Sequence, residues 1–411
     1  MEGIRKPLSV YIHIPFCVRK CLYCDFLSAP ADIETQNRYV RALLQEIKAE
    51  KDRYTDYLVE TVFIGGGTPS LLQAESIETI LSTLREYYVC SEDCEISMEV
   101  NPGTVTEEKA KIWKRAGINR LSIGLQSAVD AELQALGRIH NSRDFFETYE
   151  ILVKTGFDNI NIDLMSAIPG QTLASYRQTL KQITDLQPQP VHISAYSLIV
   201  EEGTPFYEAK LDLPDEDTER EMYKITNDIL SKCGYEQYEI SNYAKPGYVC
   251  RHNCVYWTRG DYVGFGLGSA SMIENVRFHN IRDFNSYVNF FEDLGGSESR
   301  AYNRAYNEEE MPNITPWEAC PIREEVQHLT VEEQMEEFVF LGFRMTRGIS
   351  TGEFAKNFGK TIDEVYPGIV DKYVAKELLR RQRAGEEERI ALTRDGINVS
   401  NYIMAEFLLS C

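Results

Sequence analysis

The sequence predicts an α/β fold of repeated βα units around a parallel sheet, followed by a smaller C-terminal α+β module. Three observations carry this expectation. From residue 8 to about residue 200, short β-branched runs alternate with amphipathic helical stretches. Motifs bearing glycine, asparagine or acidic residues fall at the C-terminal ends of these runs, where α/β sheets gather their ligands. Beyond about residue 325 the alternation stops and helical segments dominate.

In chain order, the expected strands are Leu8–Ile14, Thr61–Ile64, Glu95–Val100, Arg120–Gly124, Asn159–Met165 and His192–Leu198, which make about six βα units. Between the first two, Gln36–Tyr54 reads as a helix with Tyr39, Leu43, Leu44 and Ile47 on one face. From about residue 205 to 300 the pattern loosens into a charged helix over Asp215–Lys232, short strands around Tyr235–Ile240 and Asp261–Phe265, and a Gly-rich turn. Residues 301–325 are polar and aperiodic, as in a linker or extended loop.

After that boundary, Val331–Met345 predicts a helix carrying Met335, Phe338, Val339 and Leu341, and Ser350-Thr-Gly-Glu353 opens a second helix in the manner of a capping box. Ile362–Val370, Lys372–Arg381 and Ile390–Asn398 complete a module resembling a small winged helix. The expected units are therefore residues 1–205, 206–325 and 326–411.

A chain of 411 residues with 43% hydrophobic residues buries a large core. Its 43 basic and 64 acidic residues leave a net charge of −21, which argues against nucleic acid and anionic membranes as partners. Winged helices often bind DNA, but Glu386-Glu-Glu388 makes this one acidic, so it reads as a lid or partner surface. With no apolar signal segment at its start and no long apolar run, the chain is expected to be cytoplasmic. In that reducing compartment Cys90, Cys94, Cys233, Cys320 and Cys411 read as small buried hydrophobes.

Cys17, Cys21 and Cys24 are different, because C-x3-C-x2-C places three thiols on one short loop. A 4Fe-4S cluster ordinarily takes four thiolates, so three hold three irons and leave the fourth for an external ligand. The amino and carboxylate groups of S-adenosylmethionine suit that vacancy. A zinc knuckle completed by His13 or Asp25 is the competing account, and it lacks the matching distal cysteine pair such sites use.

Tyr11-Ile-His-Ile-Pro-Phe-Cys17 with Cys21 and Cys24 resembles the radical S-adenosylmethionine superfamily, in its coproporphyrinogen-dehydrogenase-like branch. The resemblance continues in the family's order through Gly65-Gly-Gly-Thr-Pro69, Glu99-Val-Asn-Pro102, Gly124-Leu-Gln126, Leu136-Gly-Arg138, Asn161-Ile-Asp163-Leu and Ile168-Pro-Gly-Gln-Thr172. It implies a partial (β/α)6 barrel, which spacing alone does not separate from a doubly wound sheet. It also implies that Gly66, Gly67 and Thr68 hold the methionine end of the cofactor, and that Gln126, Arg138 and Asp163 contact its carboxylate and ribose. Tyr11 and Tyr23 match contacts near the sulfonium and adenine. Glu99, in a half-buried strand, needs a partner that the cofactor's α-amino group would supply, a barrel-mouth salt bridge being the alternative.

One departure narrows the branch. The dehydrogenases carry a further cysteine two positions after the third, where this chain has Phe26. That form, with His252-Asn-Cys-Val-Tyr256-Trp257, resembles the HemW group of haem chaperones. The resemblance implies haem as cargo and a haem-acceptor protein as partner, membrane-bound acceptors included, and a dimer is compatible with it. His252 offers an imidazole to haem iron, and Tyr256 with Trp257 a flat apolar surface, although a packed His-aromatic corner has the same sequence. Cys250 and Cys254 flank His252 as candidate thiolates, and Gly264-Phe-Gly266-Leu-Gly268 is expected to line the porphyrin side. Two enzymes remain as rivals: oxygen-independent coproporphyrinogen III dehydrogenase, and a radical enzyme acting on another small molecule.

Overall fold

A computed structural model describes residues 5–294, 320–385 and 387–409 of the chain. Residues 301–319 of the expected linker, Glu386 of the acidic triplet and Cys411 lie outside the described residues. Six parallel strands form the frame: β1 (Lys6–Ile14), β2 (Tyr57–Gly66), β3 (Cys90–Val100), β4 (Arg120–Gln126), β5 (Ile160–Ser166) and β6 (His192–Ser197), paired in sequence order. Helices return the chain between them: α1 (Ile33–Glu50), α2 (Ala74–Tyr87), α3 (Glu107–Arg115), α4 (Asp130–Ala135), α5 (Ser142–Lys154) and α6 (Leu173–Thr184). This is the α/β fold with repeated βα units, and a βα crossover is what a parallel neighbour requires.

The strands read as near-continuous apolar runs because both faces are covered. Val10, Ile12, Ile64, Met98, Ile123, Ile162 and Ile193 are all buried in one core with the helix faces. Local signals set the helix ends. Asp32 caps α1 by accepting from Thr35 N at 2.8 Å, and Asn141 with Asp144 forms a reciprocal capping box on α5.

Both edges of the sheet are extended. Tyr262–Phe265 pairs in parallel with β1 and leads through Ala270–Ile273 and Val276–Asn280 to the edge strand Arg323–His328. The end of the expected linker, from Arg323, is therefore strand. On the other edge Asn242–Ala244 pairs antiparallel to β6, and Glu236–Gln237 pairs with it.

A buried polar layer closes the N-terminal half of the sheet. Thr61 donates to Ser9 at 2.7 Å, and Asn161, His192 and Tyr238 hydrogen-bond in series. Arg120, 1% exposed, lies there beside Ser97. Thr61, Ser9, Asn161, His192 and Tyr238 satisfy one another inside the sheet, as buried polar atoms must, while Arg120 Nε has no partner among the described residues.

The C-terminal module has its own core, from Met335 to Phe407, around an antiparallel sheet in which Glu387–Leu392 lies between Ile349–Ser350 and Leu379–Ala384. Its first helix ends at Gly342, before the expected Met345. Ser350 caps the next helix by accepting from Glu353 N at 3.2 Å, without the return bond of a full capping box. The module docks on the closed side of the sheet, where Ile240 N donates to Arg344 O and the Arg344 guanidinium stacks 4.3 Å from the Trp257 ring. No described residue of this module lines the pocket at the strands' C-terminal ends, so the structure does not place it as a lid there.

Candidate functional site

The C-terminal ends of β1 to β6 converge on a pocket of about 960 Å³. The loop after β1 forms its outer wall. Cys17 N donates to Ala29 O and Ala29 N to Pro15 O, which closes the loop on itself. Leu22 N donates to Leu136 O, Phe206 N to Leu22 O, and the Arg19 guanidinium to Gly137 O at 3.0 Å, which pins the loop from outside. Cys17, Cys21 and Cys24 all line the pocket. Among the described residues no three His, Cys, Asp or Glu side chains gather around one point as a single-ion site does. A cluster spreads its thiolates over separate irons instead.

Phe26, 59% exposed, lines the same pocket at the position that sets this chain apart from the dehydrogenases.

Opposite the cysteines runs the glycine segment at the end of β2. A Cβ on Gly67 would stand 2.6 Å from Phe16 O, and one on Gly65 would meet Phe63, Tyr11 and Glu99 at 3.0–3.2 Å, so only glycine lets this backbone lie against the cysteine loop. Gly66 has φ +113, the left-handed side where a side chain is strained, and its N–H donates to Glu99 Oε2 at 3.0 Å. Thr68 Oγ1 lies 3.5 Å from Cys17 Sγ and accepts from Asn101 Nδ2 at 2.8 Å. The segment thus ties β2, β3 and the cysteine loop together.

Two carboxylates face the pocket. Burial, then the nearby Asp163 carboxylate, pushes the Glu99 carboxyl up to about 8. Burial likewise raises Asp163, which accepts from Asn161 Nδ2 at 2.7 Å and Ser122 Oγ at 3.1 Å. Neither forms an ion pair among the described residues. Half-buried carboxylates with no ion-pair partner in contact, Arg120 acting on Asp163 only from a distance, suit a cationic ligand, and the amino group and sulfonium of S-adenosylmethionine meet that need. The donor set therefore fits the cofactor.

Arg138 reaches the pocket from the loop beyond α4, not from a strand end. Its guanidinium donates to Gly124 O at 2.5 Å and Asn101 Oδ1 at 2.8 Å, with Nη1 3.7 Å from Cys21 Sγ. Its Nε is buried with no partner among the described residues. Gln126 sits at φ +72, where the β4–β5 register shifts, and accepts from Tyr196 OH at 2.7 Å. A left-handed non-glycine residue in a ligand pocket is strain held by its surroundings. Tyr23 lines the pocket and packs against Phe206. Tyr11 stands one layer deeper, stacked on Phe63 and bonded to His13 Nδ1 at 3.1 Å.

Sequence reasoning did not single out Tyr196, Ser122 or Asn101 as site residues, although all three line the pocket. Each occupies a strand or strand end already drawn toward the site, and that position was the available signal.

His252 lies elsewhere. It is 1% exposed, with Nδ1 2.8 Å from Thr61 Oγ1, Nε2 2.9 Å from Tyr256 OH, and its ring stacked on Phe63. Burial pushes its imidazole down to about 3. Both ring nitrogens are spent inside the protein, so the structure presents it as a packed His-aromatic corner and not as an open iron ligand. Cys250 is fully buried against Glu95, and burial pushes the Cys250 and Cys254 thiols up to about 12 and about 11, away from the thiolate form. Gly264–Gly268 does not line the pocket either: a Cβ on Gly266 would stand 2.4 Å from Tyr39 OH and 2.8 Å from His13 O. That segment supports β1 from behind.

Residues 11–183 match the Radical SAM superfamily, and residues 329–399 match the HemN C-terminal domain. The chain is 35% identical over 405 residues to the "Heme chaperone HemW" of Bacillus subtilis (strain 168), covering 97% of this chain and 99% of that protein. With the protein of the same name from Lactococcus lactis subsp. lactis (strain IL1403), identity is 32% over 410 residues, covering 99% and 98%. Among solved structures it resembles the coproporphyrinogen III oxidase HemN from Escherichia coli, with a TM-score of 0.79 at 21% identity over 100% of this chain and 92% of that one. That likeness shows a shared fold.

Proposed function

The chain belongs to the HemW family within the radical SAM superfamily, and from that membership we propose that it is a haem chaperone, taking up haem and passing it to an acceptor protein. The observation that carries this reading is similarity to HemW proteins along nearly the whole chain. Phe26 at the pocket supports it, because an exposed apolar ring takes the place of the dehydrogenases' additional cysteine.

In this reading Cys17, Cys21 and Cys24 hold the cluster. Gly66, Gly67, Thr68 and Glu99 receive the methionine end of S-adenosylmethionine, and Gln126, Arg138 and Asp163 its carboxylate and ribose, with Tyr11 and Tyr23 beside them. Together, cluster and cofactor supply one-electron chemistry when bound. The protein orients them: Gly67 admits backbone contact, Glu99 takes a proton or a cation, and Tyr196 fixes Gln126. We read residues 1–205 as the cofactor barrel, 206–325 as its extension with the linker and 326–411 as a winged-helix-like C-terminal domain. A cytoplasmic location agrees with the finding that no described helix is long and apolar enough to cross a membrane.

The test has two arms on anaerobically reconstituted full-length protein. Incubation with coproporphyrinogen III, S-adenosylmethionine and a reductant is expected to yield no decarboxylated porphyrin, while haem-loaded protein is expected to lose its haem to an added apo-haemoprotein. Decarboxylation without haem uptake would overturn the reading in favour of the dehydrogenase.

A further inference from the structure

The chaperone reading leaves the haem site open once both nitrogens of His252 are engaged. A second cleft, of about 780 Å³, lies beside the cofactor pocket and shares Arg19, Cys21, Thr68, Asn101 and Arg138 with it. Its walls include Val18, Leu71, Pro102 and Ile139, and Val18 and Ile139 are 61% and 58% exposed. Branched apolar side chains in solvent, grouped at one cleft, mark a binding surface more than packing. Arg19 at its rim adds an exposed cation. The rest of the lining is polar, with Asn101, Thr104 and the Asp144 carboxylate beside Arg19 and Arg138, so the cleft suits a ligand with one flat apolar face and a charged edge, and haem is such a ligand.

His140 also lines the cleft. It is 8% exposed, and its Nε2 lies 3.3 Å from Leu125 O. A carbonyl only accepts, so Nε2 carries the proton and Nδ1 keeps its lone pair. Nδ1 has no partner among the described residues. Metal-binding imidazoles are oriented in this way, donating one N–H to a carbonyl while the other nitrogen meets the metal. Burial, then Arg138, pushes the imidazole down to about 4, which keeps it neutral. His13, His192 and His252, by contrast, have partners on both ring nitrogens.

We propose that this cleft is the haem site and that His140 Nδ1 is the axial ligand to the haem iron, with Ile139 and Val18 against the porphyrin and Arg19 at a propionate. The assignment rests on the chaperone reading. A single protein ligand suits a cargo that must leave. Arg138, shared by both cavities, forms the wall between haem and cluster.

The experiment titrates haemin into cluster-reconstituted full-length wild type, His140→Ala and Ile139→Glu, following the Soret band together with cluster absorbance and S-adenosylmethionine affinity. His140→Ala is expected to weaken haem binding about ten-fold or more and to shift the Soret band, with added imidazole restoring the wild-type spectrum and the cluster unchanged. Ile139→Glu, at an exposed position that does not hold the fold, is expected to weaken haem binding while keeping the wild-type spectrum. Wild-type affinity and spectrum in His140→Ala would overturn the assignment and leave the chaperone reading standing. Failure of the wild type itself to take up haem would overturn both.

Discussion

Glu99 and Asp163 bury their carboxylates in one pocket, and the charge of Asp163 adds to burial in holding the Glu99 proton up to about 8. The pair is poised for a cation, and that has a sign. Without a ligand, Glu99 is largely protonated at neutral pH. A cationic amino group stabilises the ionised form, so binding releases a proton and tightens as pH rises toward about 8. Isothermal titration of S-adenosylmethionine into reconstituted protein at pH 6, 7 and 8 is expected to show rising affinity. Glu99→Gln is expected to lose about 1.5–3 kcal/mol of that binding and to flatten the pH dependence. A steep pH dependence retained in Glu99→Gln would assign the proton elsewhere.

Gly67 and Phe16 make a second sensitive contact. In Gly67→Ala the new Cβ would press on Phe16 O at 2.6 Å, and the atoms it meets are all backbone, so the cysteine loop must move. Such overpacking costs about 1–3 kcal/mol. Iron and sulfide analysis after reconstitution is expected to show poor cluster occupancy in a chain that still melts cooperatively. Full occupancy would show the loop to be less tightly placed than its contacts imply.

Cys21→Ala is expected to abolish the cluster and leave the fold, because the loop's position is held by Leu22, Phe206 and Ala29 backbone bonds and not by the Cys21 thiol. Absorbance in the iron–sulfur charge-transfer region and far-ultraviolet circular dichroism separate the two effects. A full cluster signal in the variant would remove Cys21 from the ligand set.

Away from the site, Glu46 joins α1 to the Gly264–Gly268 segment, accepting from Gly266 N at 2.7 Å, Asn280 Nδ2 at 2.6 Å and Tyr287 OH at 2.5 Å. Burial outweighs these bonds and pushes its carboxyl up to about 7 from an unfolded value of 4.5. Its contribution to stability is thus complete below the unfolded value and is lost as pH rises through about 7. In denaturant titrations at pH 5 and pH 8, wild type is expected to lose more stability between the two than Glu46→Gln. Parallel changes in the two proteins would remove Glu46 from the pH dependence.

Much of the frame was legible because its signals are local. The β-branched runs around Val10, Val62, Ile123 and Ile162 announce strands buried on both faces, and Cys17, Cys21 and Cys24 announce a ligand loop by spacing alone. What escaped depends on where other elements pack. His252 reads like an iron ligand until Thr61 and Tyr256 occupy its nitrogens, and nothing near residue 252 in sequence says that Thr61 will be there. Tyr196 shows the converse: the end of β6 carries an ordinary strand tyrosine into the pocket, and its bond to the Gln126 amide at 2.7 Å depends on the left-handed turn there, which nothing near residue 196 announces.

Whether this chain carries haem is decided by equilibrium titration of haemin into anaerobically reconstituted full-length protein. A haem-carrying chain gives a saturable Soret shift that ends at one equivalent and leaves the iron–sulfur absorbance intact. A linear rise with no endpoint, equal to that of haemin in buffer, would contradict that expectation.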